Sequence, residues 1–198
     1  WRSGEAYALG NLALHCTYRG MFDAALDYNQ QGRPIAEEIE HLEWLTAFAL
    51  EDGSRRLALL DFARGREALR DAHALATESG SRHFTHLAQG MWASACIGDG
   101  DFDAARTVVG SYDVALSGAI SGQRLPVLAH AELALAHGEP DLALAITDRL
   151  FATAVGCNAM REIPRLAYLH GEALAALGRP DEAGAALREA LAGSSARE

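Results

Sequence analysis

Lysine is absent from this 198-residue chain, and all 17 basic residues are arginine. We read that bias as the coding signature of a GC-rich genome, yet it has a chemical consequence: a G-x-x-x-x-G-K-[ST] phosphate loop cannot exist. Basic runs are also missing. None is longer than Arg55-Arg56, and the formal charge is −10 with a pI near 5.2, so nothing can build a phosphate-neutralising stripe and direct nucleic-acid binding is not expected. Val, Ile and Thr together number only 18, against 40 Ala and 27 Leu, which excludes an all-β or doubly wound fold and favours helix. The three cysteines, Cys16, Cys96 and Cys157, lie far apart without a C-x-x-C pair. They exclude a disulfide framework and a Cys-rich zinc site, and are expected to be reduced core residues.

Long apolar runs are lacking as well. No stretch reaches the roughly 18 residues of a spanning helix, and Trp1-Arg2-Ser3-Gly4 does not begin a signal peptide, so a soluble, cytoplasmic protein with no membrane partner is expected. The chain opens without Met and closes on Gly193-Ser194-Ser195-Ala196-Arg197-Glu198, as a fragment of a larger protein would. Its 98 apolar residues suffice for one core, so 1–198 is expected to form a single domain.

What is present is a repeat. A phrase following Gly occurs as Gly20-Met21-Phe22-Asp23-Ala24-Ala25, Gly100-Asp101-Phe102-Asp103-Ala104-Ala105, Gly138-Glu139-Pro140-Asp141-Leu142-Ala143 and Gly178-Arg179-Pro180-Asp181-Glu182-Ala183. Its anchors Ala25, Ala105, Ala143 and Ala183 are spaced by 80, 38 and 40, and the doubled interval points to a degenerate copy anchored at Gly65, with Phe62 three residues before it. Twelve residues before the five anchors stand Ala13, Gly53, Ala93, Ala131 and Gly171. All are small, as two antiparallel helices require where they cross closely.

The local chemistry fits helix–turn–helix units. Gly20, Gly100, Gly138 and Gly178 suit the left-handed residue that ends a helix, Pro140 and Pro180 suit a first helical position, and Asp23, Asp103, Asp141 and Asp181 place negative charge on the new helix N-terminus. The period predicts first helices over 4–19, 41–59, 82–98, 122–137 and 160–177, and second helices over 22–38, 62–79, 101–117, 140–156 and 180–193. The repeats then run over about 4–39, 40–80, 81–118, 119–157 and 158–194. Glu51-Asp52-Gly53-Ser54 reads locally as a turn, but the period makes it helical.

A hairpin of this length, with Gly before its second helix, Phe or Pro three residues before a small anchor and another small residue twelve earlier, resembles the tetratricopeptide repeat. The resemblance covers nearly the whole chain and implies an all-α, right-handed superhelix of about five antiparallel hairpins. Phrases such as Ala176-Leu177-Gly178-Arg179-Pro180-Asp181-Glu182-Ala183 and Glu78-Ser79-Gly80-Ser81-Arg82-His83-Phe84 are similar to the degenerate repeats of large bacterial signalling regulators, MalT-like and AAA-ATPase-linked transcriptional activators. The usual Trp and Tyr positions of the repeat are missing from most copies.

Chemistry-bearing motifs are few. His83-x-x-His86 could place two imidazoles on one helix face, but a third ligand is not identifiable, so no metal site is assigned. His130 and His170 each precede a small packing residue by one position, which marks a shared helix-packing slot. G-x-G-x-x-G and G-x-S-x-G are absent, no strand exists to present a nucleophile, and neither catalysis nor a cofactor is expected. By the same resemblance, the concave side is lined by first helices, at slots about 18, 15, 11 and 8 residues before each anchor. Those slots include Tyr7, Leu14, Ser54, Ser94, Glu132, Arg165, Tyr168 and Glu172. A groove so lined suits a protein segment or a neighbouring domain of the parent regulator. The alternative is a small-molecule effector pocket inside the superhelix. Glu132 and Glu172, one repeat apart, would share the concavity and either favour a basic ligand or be neutralised internally by Arg165.

Overall fold

The computed structural model describes residues 1–110, 112, 121–156 and 163–195. Among them are ten helices and no strand: α1 Arg2–Tyr18, α2 Phe22–Glu38, α3 Leu42–Ala58, α4 Phe62–Glu78, α5 Arg82–Gly98, α6 Phe102–Val109, α7 Ser121–Ala136, α8 Pro140–Gly156, α9 Ile163–Ala176 and α10 Pro180–Ser195. The segment Glu51-Asp52-Gly53-Ser54 lies inside α3, so the period outranks the local turn signal there. The second helix expected over 101–117 ends at Val109, where Gly110, a poor helix former, follows. Residues 111 and 113–117, the first residues of the helix expected from 160, and Cys157 lie outside the described residues.

One device ends seven of the described helices, α1 to α5, α7 and α9. Gly20, Glu40, Leu60, Gly80, Gly100, Gly138 and Gly178 all have φ between 51° and 79°. The next residue's N–H then reaches back to a carbonyl five residues earlier, as in Met21 to Cys16, Asp61 to Arg56 and Arg179 to Leu174, at 2.9, 2.9 and 3.0 Å. These are Schellman turns, which satisfy the last carbonyls of each helix. The same turn serves within hairpins and between them. Two of the seven use a residue with a side chain, Glu40 and Leu60, where the β-carbon is strained. Pro140 and Pro180 open α8 and α10, and Asp23, Asp103, Asp141 and Asp181 lie in the first turns of α2, α6, α8 and α10.

Each helix packs on the next, and the odd helices α1, α3, α5, α7 and α9 also pack on one another in series. Among the described residues no even helix touches another even helix, and the first hairpin does not touch the fifth. The odd helices are therefore the closer-spaced, inner layer of a curved array. Core clusters lie between neighbours, with Phe48 beside Ala6, Ile35 and Ala36, Leu69 beside Ala49, Ala72 and Ala88, and Val109 beside Ala93, Ala105 and Ala129.

The two small positions of each hairpin meet as the repeat requires. All ten are buried. A β-carbon on Gly65 would lie 3.7 Å from the Gly53 carbonyl oxygen, and one on Gly171 would lie 3.4 Å from that of Ala183. A third position, four residues after the anchor, completes the crossing. Here the residues are Asn29, Leu69, Val109, Thr147 and Leu187, and leucine occurs in the two hairpins whose earlier position is Gly53 or Gly171. The other three hairpins combine alanine with a smaller partner. Volume at the crossing is thus held nearly constant, as close packing demands.

Candidate functional site

The inner layer carries two different surfaces. Toward the N-terminal end, α1, α3 and α5 enclose an apolar cleft of about 180 Å³ whose lining includes Tyr7, Leu14, Trp44, Phe48 and Phe84. Tyr7 is half exposed and tilts against Trp44, with ring centroids 5.3 Å apart. His41 stacks on the Trp44 indole at 5.0 Å and 16°, and the indole Nε1–H donates to Ser3 Oγ at 3.0 Å. The indole is therefore fixed in orientation. Phe48 fills the space left by two glycines, since a β-carbon on Gly32 would fall 2.3 Å from its ring and one on Gly10 would fall 3.5 Å from it.

Toward the C-terminal end the surface is polar and closed by its own side chains. Arg165 of α9 donates from Nε to Glu132 Oε1 at 2.8 Å, and from Nη2 to Glu132 Oε1 at 2.5 Å and Ser94 Oγ at 2.6 Å. The Ser94 hydroxyl donates to the Gly90 carbonyl at 3.0 Å and lies 3.4 Å from Glu132 Oε2. Ser94, Glu132 and Arg165 stand on α5, α7 and α9, so one guanidinium crosses α7 to join three successive inner helices. Three of the eight residues expected in the groove are brought together here. Two others, Tyr7 and Leu14, share the aromatic cleft. Tyr168 and Glu172 are exposed on α9 and Ser54 is half-buried on α3, and these three join neither cluster. Glu132 is neutralised internally by Arg165, while Glu172 has no hydrogen-bond or ion-pair partner among the described residues.

Behind the cleft lies a polar group that the slot pattern does not contain. Glu51 of α3 is 1% exposed. Thr17 Oγ1 of α1 donates to its Oε1 at 2.6 Å, and Asn29 Nδ2 of α2 donates both to its Oε2 and to the Phe48 carbonyl, the latter at 2.9 Å. Arg55 Nε is 4.0 Å away and makes no hydrogen bond, because the Arg55 guanidinium turns to Asp52 instead. Burial pushes the Glu51 carboxyl up from the usual glutamate range, and the Thr17 and Asn29 donors oppose the shift only in part.

The histidines divide by place. His130 and His170 do the same structural work one repeat apart, each meeting the residue four after the preceding hairpin's anchor. His170 Nδ1 lies 3.1 Å from Thr147 Oγ1, and the Val109 backbone acts on the His130 ring, opposing in part the effect of its burial. Burial lowers the pKa of His130. His83 packs against Phe84 and His86 meets Tyr112 edge-on. Among the described residues no group of three or more His, Cys, Asp or Glu side chains is arranged to hold a metal. Cys16 and Cys96 are free thiols, half-buried and buried respectively. No described helix is long and apolar enough to cross a membrane.

Trp44 and Phe84 were not expected in the groove. Both stand 21 residues before their anchors, so reading that further slot across the repeats would have found them. No protein-family model and no curated protein matches this chain.

Proposed function

We propose that the chain is a non-enzymatic, cytoplasmic protein-interaction scaffold. In this reading it is a right-handed, tetratricopeptide-like superhelix with a period near 40 residues. Its inner layer takes up a protein segment or a neighbouring domain of a bacterial signalling or transcription regulator. One observation carries the reading: the inner helices hold an aromatic cleft whose walls are fixed while its rim residue Tyr7 stays half exposed. Rigid aromatic side chains supply contact area with little ordering cost, which suits the capture of an apolar side chain from a peptide or helix. At about 180 Å³ the cleft falls below the roughly 300 Å³ at which sites for whole small-molecule ligands begin, which favours a peptide anchor over an effector.

The test is binding of peptide arrays to the wild type and to Tyr7→Ser. The exposed Tyr7 can be truncated without opening the core, so both proteins should melt alike while bound peptides lose affinity by about tenfold or more. Unchanged binding by Tyr7→Ser, or peptides that map to the even helices, would overturn the proposal.

A further inference from the structure

A buried carboxyl group that no slot of the groove uses joins the first hairpin to the second. Glu51 is held by one donor from α1, Thr17, and one from α2, Asn29, while its own backbone belongs to α3. The charged groups acting on it are Arg55 and Asp52, both of α3, and they chiefly engage each other. Among the described residues α4 and α5, which also pack on α3, send it no hydrogen bond. An ionised Glu51 is therefore buried with two neutral donors and only a long ion pair to Arg55 at 4.0 Å, an arrangement that compensates the charge only in part. Phe48 lies one turn earlier, where its carbonyl shares the Asn29 amide with Glu51 and its ring packs the wall between α1 and the cleft. Protonation at this point and the seating of α1 on α3 are thus parts of one contact.

We propose that Glu51 is a proton-sensitive joint that sets how firmly the first hairpin, and with it the Tyr7 and Leu14 wall of the cleft, is seated on the rest of the array. Its functional meaning rests on the reading of that cleft as the binding surface, but the joint itself can be tested without any ligand. The sign follows from the environment. Burial raises the folded-state pKa above the unfolded one, so the folded chain binds the proton more tightly. Seating is then firmest at and below the ordinary glutamate range and weakens as pH rises through the raised value.

The experiment is hydrogen exchange of the full chain between about pH 5 and 8, read as protection of α1 and α2 amides after correction for intrinsic exchange, for wild type and Glu51→Gln. In wild type, protection of these two helices should fall with rising pH by up to tenfold per pH unit, the limit for one linked proton. In Glu51→Gln that fall should vanish while α9 and α10 behave as in wild type. A second variant, Thr17→Val, keeps the carboxyl but removes a donor to its charged form, and should move the fall to higher pH values. An equal pH dependence in wild type and Glu51→Gln, or a fall with acidification, overturns the joint. If the joint holds but peptide binding ignores both Tyr7→Ser and pH, the failure belongs to the binding surface instead.

Discussion

Adding a single methyl group at Gly53 pits two effects of similar size against each other. In a helix interior, Gly→Ala gains about 1 kcal/mol from propensity. At this site, however, the new β-carbon would lie 2.4 Å from Leu69 Cγ and 2.5 Å from its Cδ2. Leu69 is fully buried beside Ala49, Ala72 and Ala88, so it cannot swing into solvent to make room. Overpacking of that kind costs about 1–3 kcal/mol, and we expect Gly53→Ala to lose about 1 kcal/mol net. Leu69→Val alone removes one methylene group and should also lose about 1 kcal/mol. The double variant reproduces the pair already present in the third hairpin, Ala93 with Val109, both fully buried. It should lie within about 0.5 kcal/mol of wild type, giving a coupling energy of about 1.5 kcal/mol or more. Urea titrations of the four proteins followed by helical circular dichroism measure this cycle, and equal slopes would show that unfolding remains comparable among them. Additive losses in the double variant would refute the idea that the two positions share one volume across the crossing.

Two further outcomes follow from single sites. Leu60 has φ 59° and is 72% exposed, so Leu60→Gly relieves strain and buries nothing less; a thermal melt should rise by about 1–2 °C, whereas a fall would show that the left-handed turn is not strained there. The Arg165–Glu132 pair is one-third exposed on the arginine side, so Arg165→Ala should lose only about 1 kcal/mol and lose less in high salt; a loss that does not respond to salt would mean packing, not charge, holds the three helices.

Much of the fold was legible because it rests on small residues at fixed intervals. Ala13 and Ala25, Gly53 and Gly65, and Gly171 and Ala183 mark helix crossings whatever their neighbours are, since close backbone approach depends on size alone. The turns at Glu40 and Leu60 were illegible as left-handed residues because nothing in either side chain calls for positive φ. The flanking helices impose it, and the period was the only trace of it. The end of α6 at Val109 was missed for the opposite reason: Gly110 can be carried inside a helix, as Gly53 is in α3, so its presence did not announce a stop.

The site divides along the same line. A slot pattern states which helix positions share a face, and Ser94, Glu132 and Arg165, taken from it, meet across α5, α7 and α9. It does not state which side chain crosses from one helix to another, because that depends on how three helices from successive hairpins are placed relative to one another. Arg165 reaches past α7 to Ser94, and in doing so it satisfies the carboxylate that otherwise argues for a basic partner. Among the described residues the aromatic end has no such internal occupant. Its tyrosine is half exposed against an indole already fixed by Ser3 and His41, and the buried Glu51 behind it links the same helices. Of the two ends of the inner layer, the one with the weaker signal in the slot pattern is thus the one whose aromatic side chain stays exposed. The acidic slot that looked most like a charge-reading site is spent on holding hairpins three to five together.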